Sequence, residues 1–240
     1  MVNHFDTVII EYFNRFSQRS WLFDNAISIL VTMELLKGGV IVVILWVLWY
    51  SPGMEAVVAE NRRTILATYT GTFIALFLAR LLVKILPFRM RPLHNPALHF
   101  RTPMFLSEDT LTGWSSFPSD HAALFLGLAV GIFLVSRRFG FLSIAHVFLI
   151  ILIPRIYCGF HYPTDILGGG LLGAICVMVA NGSRIKRFIT VPLQEWSEKS
   201  PGWFYGAFFL LNYEMVDLFQ HVRALGTFAL HVLHKVYLKF

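Results

Sequence analysis

The chain has 240 residues, 56% of them hydrophobic and 14% charged, with 23 Phe and a mean hydropathy of +0.64. A soluble domain carries about a quarter charged residues, so these values exclude a soluble globular enzyme and indicate a single integral membrane domain over 1–240. The net charge of +6, from 20 basic and 14 acidic residues, suits an anionic membrane surface rather than nucleic acid, because the basic residues cluster beside apolar segments.

The chain opens on an amphipathic stretch. Residues 3–18 put Phe5, Ile9, Tyr12, Phe13 and Phe16 on one helical stripe, with Asp6, Glu11, Asn14, Arg15 and Gln18 elsewhere. That pattern predicts a helix lying in the membrane interface. The charges spread through the first twenty residues argue against a cleavable signal peptide. Residues 22–32 are too short to cross a bilayer; they either dip into it or start the next helix. The first span is expected at about 34–50. Glu34 and Lys37 at its start either pair on one face or anchor the helix end at the interface, and the cost of charge in lipid favours the anchor.

The second span, about 64–86, follows Arg62 and Arg63 and delivers Lys84 at its far end. Residues 87–117 then form a long connection rich in Pro, His and Arg, and a loop of that length in a helical bundle suggests function. The third span, about 119–136, starts with Ser119 as cap after Pro118. The fourth, about 140–157, ends near Arg155. The fifth, about 164–181, contains Gly168, Gly169, Gly170 and Gly173, small residues that let helices approach closely. A basic stretch with Arg184, Lys186 and Arg187 follows. The apolar region of about 202–238 reads as a sixth span and a further helix. Its Glu214 and Asp217 either line a cavity or mark that helix as interfacial. The expected fold is therefore all-α: a polytopic transmembrane bundle of about six spans. Cys158 and Cys176 lack framework spacing and read as small buried hydrophobes.

Three polar islands interrupt this apolar chain. The first is K-x6-R-P, from Lys84 to Arg91 and Pro92. The second is Pro118-Ser119-Asp120-His121. The third is R-x5-H-x3-D, from Arg155 to His161 and Asp165. All fall at helix ends on one side of the bundle. The short connections on the other side carry Arg62, Arg63, Arg137, Arg138, Arg184, Lys186 and Arg187, which marks that side as cytoplasmic and turns the islands outward. The fixed cations Lys84, Arg91 and Arg155 suit a phosphoryl group. The N-terminus of the helix starting at Ser119 offers unpaired N–H groups to the same anion. His161 and Asp165 lie four apart, so the carboxylate can hold one imidazole nitrogen and leave the other to attack. Asp120 is the odd residue, since a carboxylate beside a phosphate repels it unless a cation such as Arg89 or Arg101 answers.

In this order and spacing the islands resemble the type 2 phosphatidic acid phosphatase (PAP2) superfamily of membrane lipid phosphatases, over about residues 60–182. The family pattern has glycine where Asp120 stands and serine where Pro154 stands. The resemblance implies that Lys84, Arg91, Ser119 and Arg155 bind the phosphoryl group. It implies that His161 is a nucleophile forming a phosphohistidine, that Asp165 orients it and that His121 protonates the leaving group. It implies no metal and no cofactor. Vanadate-dependent haloperoxidases share the motifs but are soluble, against the hydropathy here. P-S-D-H resembles the branch that converts undecaprenyl diphosphate to undecaprenyl phosphate. The expected substrate is thus a lipid phosphate in the bilayer of a bacterial plasma (inner) membrane, with the site facing the periplasm or exterior. The alternatives on the same site are a phosphatidic acid or phosphatidylglycerol phosphate phosphatase and a lipid phosphotransferase.

Overall fold

The computed structural model describes the backbone of residues 3–237 and side chains as far as His231. Among the described residues the regular structure is helical throughout. Helix α1 is His4–Asn14 and α2 is Trp21–Thr32. Helix α3, Leu35–Trp49, opens with a π-helical turn and is bent by 65° from α2 at Met33. Helix α4 is Glu55–Ile85, α5 Asp120–Val135, α6 Arg137–Tyr157, α7 Pro163–Ala180, α8 Ser183–Lys199, α9 Pro201–Val216 and α10 Gln220–Tyr237. The described chain falls into two compact units, residues 1–194 and 195–240.

Three helices, α4, α6 and α7, are long and apolar enough to cross a membrane, and the bent α2–α3 pair makes a fourth if it is one span. At 16 residues each, α5 and α9 fall short of the roughly 20 residues a lone span needs, so length and composition support three to four spans where the sequence suggested six. Leu167, Leu171, Ile175 and Met178 line one face of α7, all exposed. A continuous apolar outer stripe of this kind belongs against lipid.

The heart of the first unit is the trio α4, α5 and α7. Their backbones nearly touch. A Cβ at Gly173 would lie 2.2 Å from the Ala123 carbonyl oxygen, and one at Gly169 would lie 2.2 Å from the Ser119 carbonyl oxygen. The close approach read from the glycines of 168–173 is therefore real, and it fixes α7 against the start of α5, where two islands meet. Gly173→Val is expected to destabilise the fold by at least about 1–3 kcal/mol, seen as a lower melting temperature in detergent.

Around this trio the N-terminal segments wrap inward. Ile27 of α2 packs with Tyr157, Cys158 and Phe160, and buried Asp24 accepts hydrogen bonds from the Tyr157 hydroxyl and, at 2.9 Å, from the Met104 amide. Cys158 is buried as expected, and burial pushes its thiol up to about 12. The Glu34–Lys37 pair departs from the favoured interfacial anchor. Lys37 is only 4% exposed; its Nζ donates to Glu34 Oε1 and to the Val31 carbonyl, both at 2.7 Å. The open carbonyls at the α2–α3 bend supply the partner that makes this burial tolerable.

Helix α1 forms, but the stripe that faces the protein is Asp6, Ile10 and Asn14, while Glu11 and Arg15 stay exposed. Asp6 and Asn14 are buried while Phe5 and Tyr12 are exposed. The Asn14 amide donates to the Arg101 carbonyl at 2.8 Å and accepts from the Arg101 amide at 2.9 Å. The basic stretch after α7 is a full helix, α8, which the sequence reading did not foresee. Its Lys186 Nζ reaches Glu60 Oε1 at 2.5 Å, and Gln194 accepts from Arg63 at 2.8 Å.

In the second unit Trp196, Phe204 and Phe208 pack ring to ring. Glu214 and Asp217 each face His221 Nδ1 at 3.4 Å, at the turn between α9 and α10. Residue 238, where the C-terminal apolar region was expected to end, lies outside the described residues.

Candidate active site

The long loop is stitched to the α6–α7 connection by its own backbone. The Leu93 amide donates to the Gly159 carbonyl at 3.0 Å, and the Ser116 amide donates to the Arg89 carbonyl at 2.9 Å. Gly159 sits at φ +68 with Leu93 N and the Phe100 ring against it, a position that suits only glycine. Arg91 clamps the junction. Its Nε donates to the Trp114 carbonyl at 3.1 Å, Nη1 to the Phe160 carbonyl at 2.5 Å and Nη2 to the Ser115 carbonyl at 3.1 Å.

This clamp presents the Ser116 carbonyl to His161. The His161 Nδ1 lies 2.8 Å from that oxygen and 3.9 Å from Asp165 Oδ2. A carbonyl only accepts, so Nδ1 carries the hydrogen and Nε2 keeps its lone pair. The sequence reading gave the job of holding the ring to Asp165. Here the backbone of Ser116 takes the hydrogen bond, and Asp165 stands one step behind. Asp165 Oδ2 accepts instead from the Tyr162 amide at 2.7 Å, the reciprocal cap of α7. Burial, then the Arg91 guanidinium, holds the His161 imidazole well below its ordinary pKa. Burial likewise lowers the Arg91 guanidinium.

Ser119 caps α5. Its hydroxyl oxygen accepts from the Ala122 amide at 3.3 Å, and its amide donates to the Asp165 carbonyl at 3.1 Å, which ties the second island to the third. Asp120 turns back on its neighbour: Oδ1 lies 2.7 Å from His121 Nδ1 and 2.8 Å from the His121 amide. Arg155 and His161 lie within electrostatic reach of the same carboxylate. The cation paired with Asp120 is Arg80 of α4, at 3.9 Å. Neither Arg89 nor Arg101 fills that place. Arg89 pairs with Asp165 and Asp6, and Arg101 stands exposed, held by its backbone to Asn14.

Arg155 is 6% exposed, and its Nε has no hydrogen-bond partner among the described residues. No carboxylate forms an ion pair with it there. A buried guanidinium in that state suits an anion. Glu34 lies within electrostatic reach of Arg155 and Lys37 within reach of His121, so the α2–α3 bend borders the same space. Lys84 is exposed in the last turn of α4, with no ion pair to the other islands. Among the described residues no group of three or more His, Cys, Asp or Glu is placed to hold a metal ion.

The sequence reading missed Ser116, Arg80 and Asp6. Ser116 acts through its backbone, which leaves no residue-type signal. Arg80 lies four residues, one helical turn, before Lys84 on the same face.

The arrangement offers one free imidazole nitrogen, a second histidine fixed by a carboxylate, and buried cations without anionic partners. That is the equipment for transfer of an anionic group. Comparison with known proteins agrees. The model of the PAP2 superfamily matches residues 64–188. The chain is 41% identical over 64 residues to the bacitracin transport permease protein BcrC of Bacillus licheniformis, a match covering 27% of this chain and 31% of that protein. No solved structure matches. With half of its length matched, the chain belongs to the PAP2 superfamily, a family of phosphatases.

Proposed function

We propose that this integral membrane protein is a lipid phosphatase that removes the terminal phosphate of undecaprenyl diphosphate. The observation that carries the reading is His161: a buried imidazole with Nδ1 tied to the Ser116 carbonyl and Nε2 left for attack, in the field of Arg155, whose Nε has no partner among the described residues. The P-S-D-H island favours the isoprenoid diphosphate over a glycerolipid phosphate.

In this reading the terminal phosphoryl group sits at the N-terminus of α5, held by Arg155, Ser119 and the free N–H groups of Arg91, with Lys84 closing from the rim. His161 Nε2 attacks phosphorus, giving a phosphohistidine. His121, as the imidazolium with Nδ1 donating to Asp120, gives its Nε2 proton to the departing lipid phosphate oxygen. Water then cleaves the P–N bond. Helix α5 crosses the bilayer enclosed by its neighbours, α1 rests on the membrane surface with Phe5 and Tyr12 in lipid, and the site faces outward from a bacterial plasma membrane. A transport role without catalysis, suggested by the bacitracin transport permease relative, would not require His121, His161 and Asp165, and all three are present.

The test is phosphate release by the purified protein in detergent with EDTA. Undecaprenyl diphosphate, phosphatidic acid and phosphatidylglycerol phosphate are compared side by side. Preference for the diphosphate supports the reading; preference for a glycerolipid overturns its substrate. No release from any of them, with phosphate appearing on an added acceptor lipid, makes the protein a phosphotransferase.

The attacking form of His161 is the neutral one, and its pKa is lowered. The acid limb of kcat/KM, which reports the free enzyme, is therefore expected below the ordinary imidazole value of about 6.5. A pH profile in detergent checks this.

A further inference from the structure

We propose that Asp6, on the N-terminal helix and outside the family-matched stretch, is a positioning residue for His161, acting through Arg89 and Asp165. The proposal rests on the phosphatase reading above.

Asp6 is fully buried on α1. Its Oδ1 accepts from the Thr164 amide at 2.9 Å. Its Oδ2 accepts from the Thr164 hydroxyl at 2.6 Å and from Arg89 Nη2 at 2.7 Å. The other arm of Arg89, Nη1, donates to Asp165 Oδ1 and, at 2.9 Å, to the Thr164 hydroxyl. The guanidinium lies over the Tyr162 ring, 4.3 Å from its centroid, and the Tyr162 hydroxyl accepts from Asn95 at 3.0 Å. One planar cation is thus forked between two buried carboxylates, one on α1 and one on α7, and its plane is fixed by an aromatic face.

The fork leaves Asp165 Oδ2 for the Tyr162 amide and for the edge of His161. Two bonds from Thr164 dock Asp6 on α7. Arg89 adds a further tie, from Asp6 to Thr164 and Asp165. It extends the contact from Asp6 to the carboxylate behind the nucleophile, in the order Asp6, Arg89, Asp165, His161. When the Asp6 charge is removed, the released arm of Arg89 is free to turn onto Asp165 Oδ2. That draws Asp165 from the Tyr162 cap and displaces the ring it backs.

Asp6→Asn keeps the shape and an acceptor oxygen for Thr164 but loses the charge. Arg89→Lys keeps the charge but cannot fork. Each is expected to lower kcat by roughly 10–100-fold, the usual cost of losing an outer partner of a reacting group, with KM within about twofold of wild type. Because both variants break the same link, the double variant is expected to fall no lower than about twofold below the worse single one. The experiment measures kcat, KM and the melting temperature of wild type, both single variants and the double variant in detergent, with His161→Ala as control. Unchanged kcat in Asp6→Asn, losses that multiply in the double variant, or kcat losses no larger than the loss of folded protein read from the melting curves would overturn the proposal. If Asp6→Asn fails to fold, Arg89→Lys decides alone: a kcat equal to wild type overturns the proposal. A wild-type protein that releases no phosphate overturns the phosphatase reading itself, which separates the two failures.

Discussion

Replacing His161 with alanine is expected to reduce phosphate release by at least about a thousandfold, the scale on which removing a nucleophile acts, while the protein keeps its melting temperature within a few degrees. The ring makes one hydrogen bond of its own, to the Ser116 carbonyl, and Arg91 holds that segment through the Trp114 and Ser115 carbonyls whether or not the imidazole is present. Helix α7 keeps its Tyr162–Asp165 cap. Activity and fold therefore separate at this position. Phosphate assay and thermal unfolding on the same preparation check both halves.

Arg155→Gln carries the second large effect, and its sign on stability is opposite to ordinary intuition. Arg155 is buried with no ion pair and no hydrogen bond from Nε among the described residues, and Asp120 and Glu34 act on it only from a distance. A buried charge so weakly compensated destabilises the ligand-free protein. Glutamine at this position is expected to leave the melting temperature unchanged or raise it. In the proposed reaction the same change removes a preorganised cation from the transferring phosphoryl group, and loss of one such donor lowers kcat by about 100–1,000-fold. Inorganic phosphate separates the two roles further. It should raise the melting temperature of wild type, because it binds the folded state alone, and should have little effect on Arg155→Gln. A variant that is inactive but still stabilised by phosphate would move the anion seat elsewhere.

The three islands were legible in the sequence because each is a contiguous pattern, and helix ends on one side of an apolar bundle have few other reasons to collect cations and histidines. The contacts within the site were less legible, for identifiable reasons. Ser116 presents a carbonyl, which every residue has, so its hydrogen bond to His161 could not be read from residue types. Asp6 looked like the wet face of a surface helix; its partner Arg89 lies 83 residues away, and only the folded chain turns Asp6 inward. Asp120 looked repulsive until the structure turned it onto His121, with Arg80 opposite.

The fold shows the same division. The helices over α4, α6 and α7 follow from apolar length, and the close packing of α7 follows from its glycines. Lys37 and Glu34 were weighed by the cost of charge in lipid, which assumes that lipid surrounds them. The bend at Met33 turns them inward and supplies the Val31 carbonyl. Helix α8 escaped notice because its amphipathic face rests on α4 through Lys186 and Gln194 and carries no span-like hydropathy.

The central claim is that His161 Nε2 takes the phosphoryl group. The most direct measurement is rapid alkaline quenching of wild type and His161→Ala during turnover of a lipid diphosphate labelled in its terminal phosphate, followed by location of the label. A bond from phosphorus to imidazole nitrogen survives base and is lost in acid. The account predicts a base-stable, acid-labile label on His161 in wild type and none in His161→Ala. Turnover without a trapped label on His161, or a label on another residue, would contradict it.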